Sequence, residues 1–121
     1  MNFDDLLTAD EHKKGAEVQI ISPKTGEPTD FYITVMGPDT KEFRRAKSAA
    51  IRQSIKDDGD NYEESALDVI LSVTIGWRGL TREGKSVDFT KEDCKRLYEN
   101  SPFVLDQVDL FLADRKNFTK G

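Results

Sequence analysis

The sequence predicts an α+β fold: an N-terminal β-hairpin followed by about four α-helices packed in one small domain. Three observations carry this. Val18-Gln19-Ile20 and Phe31 to Met36, near the front of the chain, have the alternation and the β-branched and aromatic content of strands. Beyond residue 40 the main apolar segments recur at helical spacing. Capping and stop signals separate those segments, and 121 residues suit one domain, able to bury roughly two-thirds of its unfolded surface.

Residues 1–15 hold few core-type side chains and read as a mobile arm or a short marginal helix. The domain proper spans residues 16–118, and residues 119–121 form a tail. Between the two strands, Ser22 to Asp30 contains two prolines and a glycine, so it is a loop and the strands make an antiparallel hairpin. A lone hairpin is marginal, so helices must cover one face. Gly37-Pro38 ends the second strand, and Asp39-Thr40-Lys41-Glu42 resembles a capping box with Asp39 as the cap. The first main helix then runs from about Thr40 to Lys56. Its apolar side is thin, Phe43, Ala46 and Ala50, with Ile51 and Ile55 displaced to one flank. Asp57-Asp58-Gly59 closes it, and Asp60 to Glu63 repeats the capping pattern. The second helix runs from about Asn61 to Ile75. Tyr62, Ala66, Val69, Ile70, Val73 and Trp77 share one face, widened by Leu67, Leu71 and Thr74, which marks it as the central core helix. Gly76 and Gly79 stop it, and Thr81 to Ser86 is a turn. Val87-Asp88-Phe89 is a short extended piece. Thr90 starts a third helix to about Asn100 with Cys94, Leu97 and Tyr98 inward. Ser101-Pro102 starts a fourth, continuing to about Arg115.

Composition narrows the function classes. A net charge of −5 argues against general nucleic-acid binding, which needs a cationic face. The third and fourth helices could form a helix-turn-helix, but Asp106, Asp109 and Asp114 would meet phosphates badly. One cysteine excludes an internal disulfide and a multi-cysteine zinc site, and suits a reducing cytoplasm. The acidic start is unlike a signal peptide, and no stretch approaches the ~20 apolar residues that span a bilayer. A soluble protein with no membrane partner is expected.

No set of residues forms a catalytic, cofactor or metal site. His12, the only histidine, lies in the polar arm and reads as exposed, with no orienting partner. Cys94 reads as a buried small hydrophobe. Asp57, Asp58 and Asp60 lack the glutamate of a calcium loop, and Gly76, Gly79 and Gly84 lack the spacing of a phosphate loop. Trp77, Val69, Ile70, Val73 and Phe111 read as core anchors, with an interface role for Trp77 the alternative.

Two features point to a partner instead. Lys41, Arg44, Arg45, Lys47, Arg52 and Lys56 make the first helix basic on an acidic chain. This is a solvated face or a docking surface for an acidic partner. The fourth helix is apolar on two sides: Val104, Val108, Phe111 and Leu112 on one, Phe103 and Leu110 on the other. The second side meets the hairpin, the arm or a partner. Phe103, Leu110, Arg44, Arg45 and Arg52 are therefore the candidate partner-binding residues.

The order of motifs carries a resemblance. Leu71 to Leu80 reads LSVTIGWRGL, and REGKSVDFTKEDCKRLYENSPFVLDQVDLFLADRKNF follows it. Gly76-Trp77, Gly84, Phe89-Thr90, Ser101-Pro102 and Phe118 stand in the order found in tail assembly chaperones of long-tailed, siphovirus-type bacteriophages. Thr25-Gly26-Glu27-Pro28 ahead of FYITVMG and a capped helix fits as well, so the resemblance spans roughly residues 15–118. It implies a non-enzymatic assembly factor in the host bacterial cytoplasm, absent from the mature virion, with no cofactor. Its implied partners are the tape-measure protein, which it keeps soluble, and the major tail-tube protein, with self-association possible. Many such proteins are also made in a longer frameshifted form, with which the end at Lys120-Gly121 is compatible. The alternative is a tail-completion or connector subunit retained in the virion.

Overall fold

The computed structural model describes residues 1–56 and 62–119. The expected stop at Asp57 to Gly59, the cap from Asp60 to Glu63 and the side chain of Tyr62 lie outside the described residues. Helices combine with small antiparallel sheets, so the fold is mixed α and β.

A short helix, Ala9–Lys14 (α1), follows a 3-10 turn at Phe3–Leu6. The main sheet then has the order Ala16–Ile21 (β1), Pro28–Val35 (β2) and a third strand from much later in the chain. Val18 lies opposite Ile33 in the antiparallel β1–β2 pair. The two-residue period buries Val18, Ile20, Ile33 and Val35 on one side of the sheet. The open side is polar. There Arg78 donates to Glu17 at 2.6 Å, and its guanidinium lies 3.9 Å from the Tyr32 ring centre.

Lys41–Lys56 (α2) and Tyr62–Val73 (α3) follow the hairpin. The cap of α2 differs from expectation. Thr40, not Asp39, accepts from the Phe43 N–H, at 3.2 Å, and Thr40 also donates to the Gly37 carbonyl. Asp39 is turned toward Thr8, His12 and Arg115 instead.

The third strand, Thr74–Arg78 (β3), corrects the reading of Trp77 as part of a helical face. Helix α3 stops at Val73, where the Thr74 hydroxyl donates back to the Ile70 carbonyl. Lys91 donates to the Leu71 and Thr74 carbonyls, satisfying acceptors that the helix end leaves open. Thr74 and Ile75 are β-branched and Gly76 is a poor helix former, so local preference favours extension. The decisive force is long-range: β3 completes the edge of β2, with Trp77 opposite Ile33. Trp77 sits edge-on to Phe31 and Phe89, at 6.1 and 5.0 Å between ring centres, and its indole N–H donates to the Val87 carbonyl.

Thr81–Arg82 (β4) and Lys85–Ser86 (β5) make a two-stranded ribbon where a plain turn was expected. Its turn residues, Glu83 and Gly84, are both at positive φ, as the type I′ class of two-residue hairpin turn requires. Lys91–Asn100 (α4) starts at Thr90, whose hydroxyl accepts from the Asp93 N–H as the sequence predicts. Pro102–Leu112 (α5) has proline in its first turn but ends before the expected Arg115. A 3-10 turn, Arg115–Phe118, follows.

The core joins Val18, Ile20, Ile33 and Val35 of the sheet to Leu67, Ile70 and Val73 of α3, Cys94 and Tyr98 of α4, Val104, Val108 and Leu112 of α5, and Phe118. Of the predicted anchors, Ile70 and Val73 are buried, while Val69, Trp77 and Phe111 are half-buried. Tyr98 carries a polar group into this core, where its hydroxyl lies 2.8 Å from that of Thr74. Tyr98→Phe leaves the Thr74 hydroxyl its bond to Ile70, so a loss of about 1–1.5 kcal/mol is expected by denaturant unfolding. An unchanged midpoint would show that the pair adds nothing net.

Candidate partner-binding surfaces

Helix α2 shows how little of the chain's apolar surface a thin stripe can bury. None of its residues is fully buried. Phe43, Ala46 and Ala50 are half-covered, while Ile51 and Ile55 remain 53% and 73% exposed. Those isoleucines line a groove of about 1090 Å³, whose other walls are the N-terminal segment, α3 and the end of α5. Leu6, Leu7, Val69 and Leu112 contribute apolar wall. Arg44 and Lys47 line it from α2, Asp10 from α1 and Asp109 from α5. Sequence periodicity placed Ile51 and Ile55 off the main stripe, but it carried no sign of the N-terminal wall.

Of the predicted partner residues, Arg44, Arg45 and Arg52 come together. With Lys41 and Ser48 they line a shallow cavity of about 360 Å³ on α2. The cause is helical spacing, since Lys41, Arg45, Ser48 and Arg52 recur every three or four residues. Among the described residues no salt bridge engages these arginines.

Phe103 and Leu110 are 38% and 75% exposed on α5 and line neither cavity. Gln107, one turn from each, explains what their side of the helix meets. Its amide accepts from the Ile21 N–H at 2.7 Å and donates to the Ile21 carbonyl at 2.9 Å. It thereby pairs a backbone position on edge strand β1 that a further strand would otherwise take. The second side of α5 therefore docks on the hairpin through a polar contact, with Leu110 left facing water and Phe103 partly so.

His12 overturns the reading of an exposed histidine: it is fully buried. Its Nδ1 accepts from the Asp39 N–H at 3.0 Å, and its carbonyl accepts from the Gly37 N–H. Its ring stacks on Phe118 at 5.3 Å. Nε2 lies 3.3 Å from an Asp39 carboxylate oxygen without forming an aligned hydrogen bond. Nothing in the local sequence marks this, because the partners of its ring, Asp39 and Phe118, are distant along the chain. Around it, Asp39 accepts from Thr8 at 3.0 Å and from Arg115 at 3.1 Å, so one carboxylate ties together the N-terminal segment, the start of α2 and the C-terminal turn.

Burial works against ionisation of Asp39, but the hydrogen bonds from Arg115 and Thr8 together with the nearby positive charge outweigh it and hold the carboxyl below its ordinary value of 3.8. A depressed folded value stabilises the native state above the ordinary value, and this is lost as pH falls through the folded one. The gap in melting temperature between the wild type and Asp39→Asn is therefore expected to be full near about pH 7 and to close below about pH 4. Thermal unfolding across that range checks it, and a gap independent of pH would sink the assignment.

Cys94 is buried, as predicted. Burial raises its thiol above the ordinary value despite its contact with Tyr98, which disfavours the thiolate that nucleophilic or redox chemistry requires. The Tyr98 hydroxyl is likewise pushed up by burial. Among the described residues no helix is long and apolar enough to cross a membrane. Comparisons with protein-family models, curated proteins and solved structures find no match.

Proposed function

We propose that this chain is a non-enzymatic phage tail assembly chaperone. It binds the tape-measure protein, keeps it soluble in the host cytoplasm, helps recruit the major tail-tube protein and leaves before the virion matures. The motif order from Gly76-Trp77 to Phe118 supports the family. The observation that carries the binding role is the exposure of large apolar side chains among charges: Phe103 and Leu110 beside Asp106 and Asp109, and Ile51 and Ile55 on a helix rich in arginine and lysine. Apolar contact ringed by charge suits reversible holding of an aggregation-prone helical protein. The net charge of −5 helps keep such a complex dispersed.

Co-expression with the tape-measure protein of the same phage tests this, read by size exclusion with light scattering. A soluble complex is expected where the tape-measure protein alone aggregates. Phe103→Asp with Leu110→Asp is expected to weaken that complex about tenfold, and Leu110→Asp alone, at a residue 75% exposed, to weaken it with little change in melting temperature. Aggregation of the tape-measure protein regardless would end the chaperone reading. Finding the chain by mass spectrometry in purified virions would favour a retained tail-completion or connector subunit.

A further inference from the structure

We infer that the groove between α2, α3, the N-terminal segment and the end of α5 is a seat for an amphipathic helix of another polypeptide, one flank of which is acidic. This deepens the chaperone reading by giving the chemistry of the held segment. Three observations select the occupant. The first is shape. The α2 wall runs from Phe43 to Ile55, a rise of about 18 Å, or three to four helical turns. That matches a short helix lying along the groove.

The second is what the walls offer. They are built mainly from helix side chains whose backbone groups are already engaged within their own helices, so an incoming strand would find no ladder to join. An incoming helix brings its backbone satisfied and needs only an apolar stripe. Leu6, Leu7, Ile51 and Ile55 supply the matching stripe, each more than half exposed.

The third is charge. Arg44 and Lys47 border the stripe on the α2 side, and the shallow cavity with Arg45 and Arg52 continues the cationic surface outward. Asp10 of α1 and Asp109 of α5 line the other walls. Asp39, at the start of α2 and also lining the groove, is already engaged by Thr8 and Arg115. Carboxylates on one flank of the guest meet α2, while lysines or arginines on the other meet Asp10 and Asp109. This fixes how the guest is rolled about its own axis as well as where it lies.

Binding of fluorescein-labelled synthetic helices of about 14 residues, followed by polarisation, tests the inference. The probe carries a leucine stripe with glutamate on one flank and lysine on the other. One control scrambles the same composition to abolish the stripe, and another carries lysine on both flanks. The wild type is expected to prefer the first peptide over both controls. Ile51→Asp with Ile55→Asp should weaken its binding at least about tenfold. Arg44→Glu with Lys47→Glu should weaken it several-fold and favour the lysine-flanked control. Lys24→Glu with Glu27→Lys, exposed in the β1–β2 loop and away from the groove, should leave it unchanged. All substituted residues are exposed, and circular dichroism confirms that each variant keeps its fold. Equal binding of the scrambled peptide, or wild-type affinity in both groove variants, would overturn the inference. So would a groove variant that lowers the oligomer size while the peptide fails to compete, since the occupant would then be a second copy. Peptide binding without any tape-measure complex would remove the chaperone reading and leave the groove assignment standing. A tape-measure complex indifferent to the groove variants would do the reverse.

Discussion

Replacing His12 with alanine is expected to destabilise the protein by about 3–5 kcal/mol, lowering the melting temperature by roughly 10–20 °C. Two losses add. Deleting a fully buried ring opens a cavity between Phe118 and the Gly37 backbone, where the surroundings relax only in part. The Asp39 N–H, which donates to Nδ1 at 3.0 Å, also loses its acceptor. The tightness of the site is visible from the other side, because a Cβ built on Gly37 would come 2.2 Å from His12 Nδ1 and 2.8 Å from Phe118 Cγ. His12→Asn and His12→Phe separate the two terms: asparagine restores some hydrogen bonding but not the volume, and phenylalanine restores volume without an acceptor. A midpoint shift below about 1 kcal/mol for alanine would show that the N-terminal segment is not held this way. The groove adds a second readout, since Leu6, Leu7 and Thr8 form its wall. The His12→Ala chain should bind the acidic-flanked helix more weakly even at temperatures where it remains folded.

Gly79→Ala is expected to cost about 3 kcal/mol or more, against about 1 kcal/mol for Gly26→Ala. Both glycines have positive φ, at 82° and 73°, so both substitutions carry backbone strain. The difference lies in the surroundings. A Cβ at Gly26 meets nothing within 4 Å, whereas one at Gly79 would come 1.8 Å from the Asp30 carbonyl oxygen and 2.8 Å from its carbon. Backbone cannot swing aside as a side-chain tip can, so β2 and the exit of β3 must separate. That disturbs the Tyr32–Arg78 pairing next door and the Phe31–Trp77 contact beneath it. Chemical denaturation of the two variants checks the ratio. Equal losses would mean that conformational strain alone matters and that Gly79 is not clamped against β2.

Much of the fold can be argued from local signals. Val18-Gln19-Ile20 and Phe31 to Val35 alternate because one face of their sheet is covered and the other is wet. Thr90 and Pro102 mark helix starts because capping chemistry acts within a few residues. The failures share the opposite character. Trp77 falls in helical phase with Val73, and the free edge of β2, some forty residues earlier, adds the long-range pairing that decides for extension. Asp39 has the chemistry of a helix cap, but Thr40 takes that place because His12, Thr8 and Arg115 compete for the carboxylate.

The candidate surfaces divide in the same way. Residue identity and helical spacing alone determined the basic face of α2 and the second apolar side of α5, since both are repeats within one element. Tertiary structure decided that Gln107 joins that second side to Ile21, that His12 is buried, and that Leu6, Leu7, Ile51 and Ile55 line one groove. The physical reason is range. A periodic pattern records which way a side chain points from its own element, but a groove exists only where separate elements are brought side by side, and those contacts leave no periodic mark in the chain.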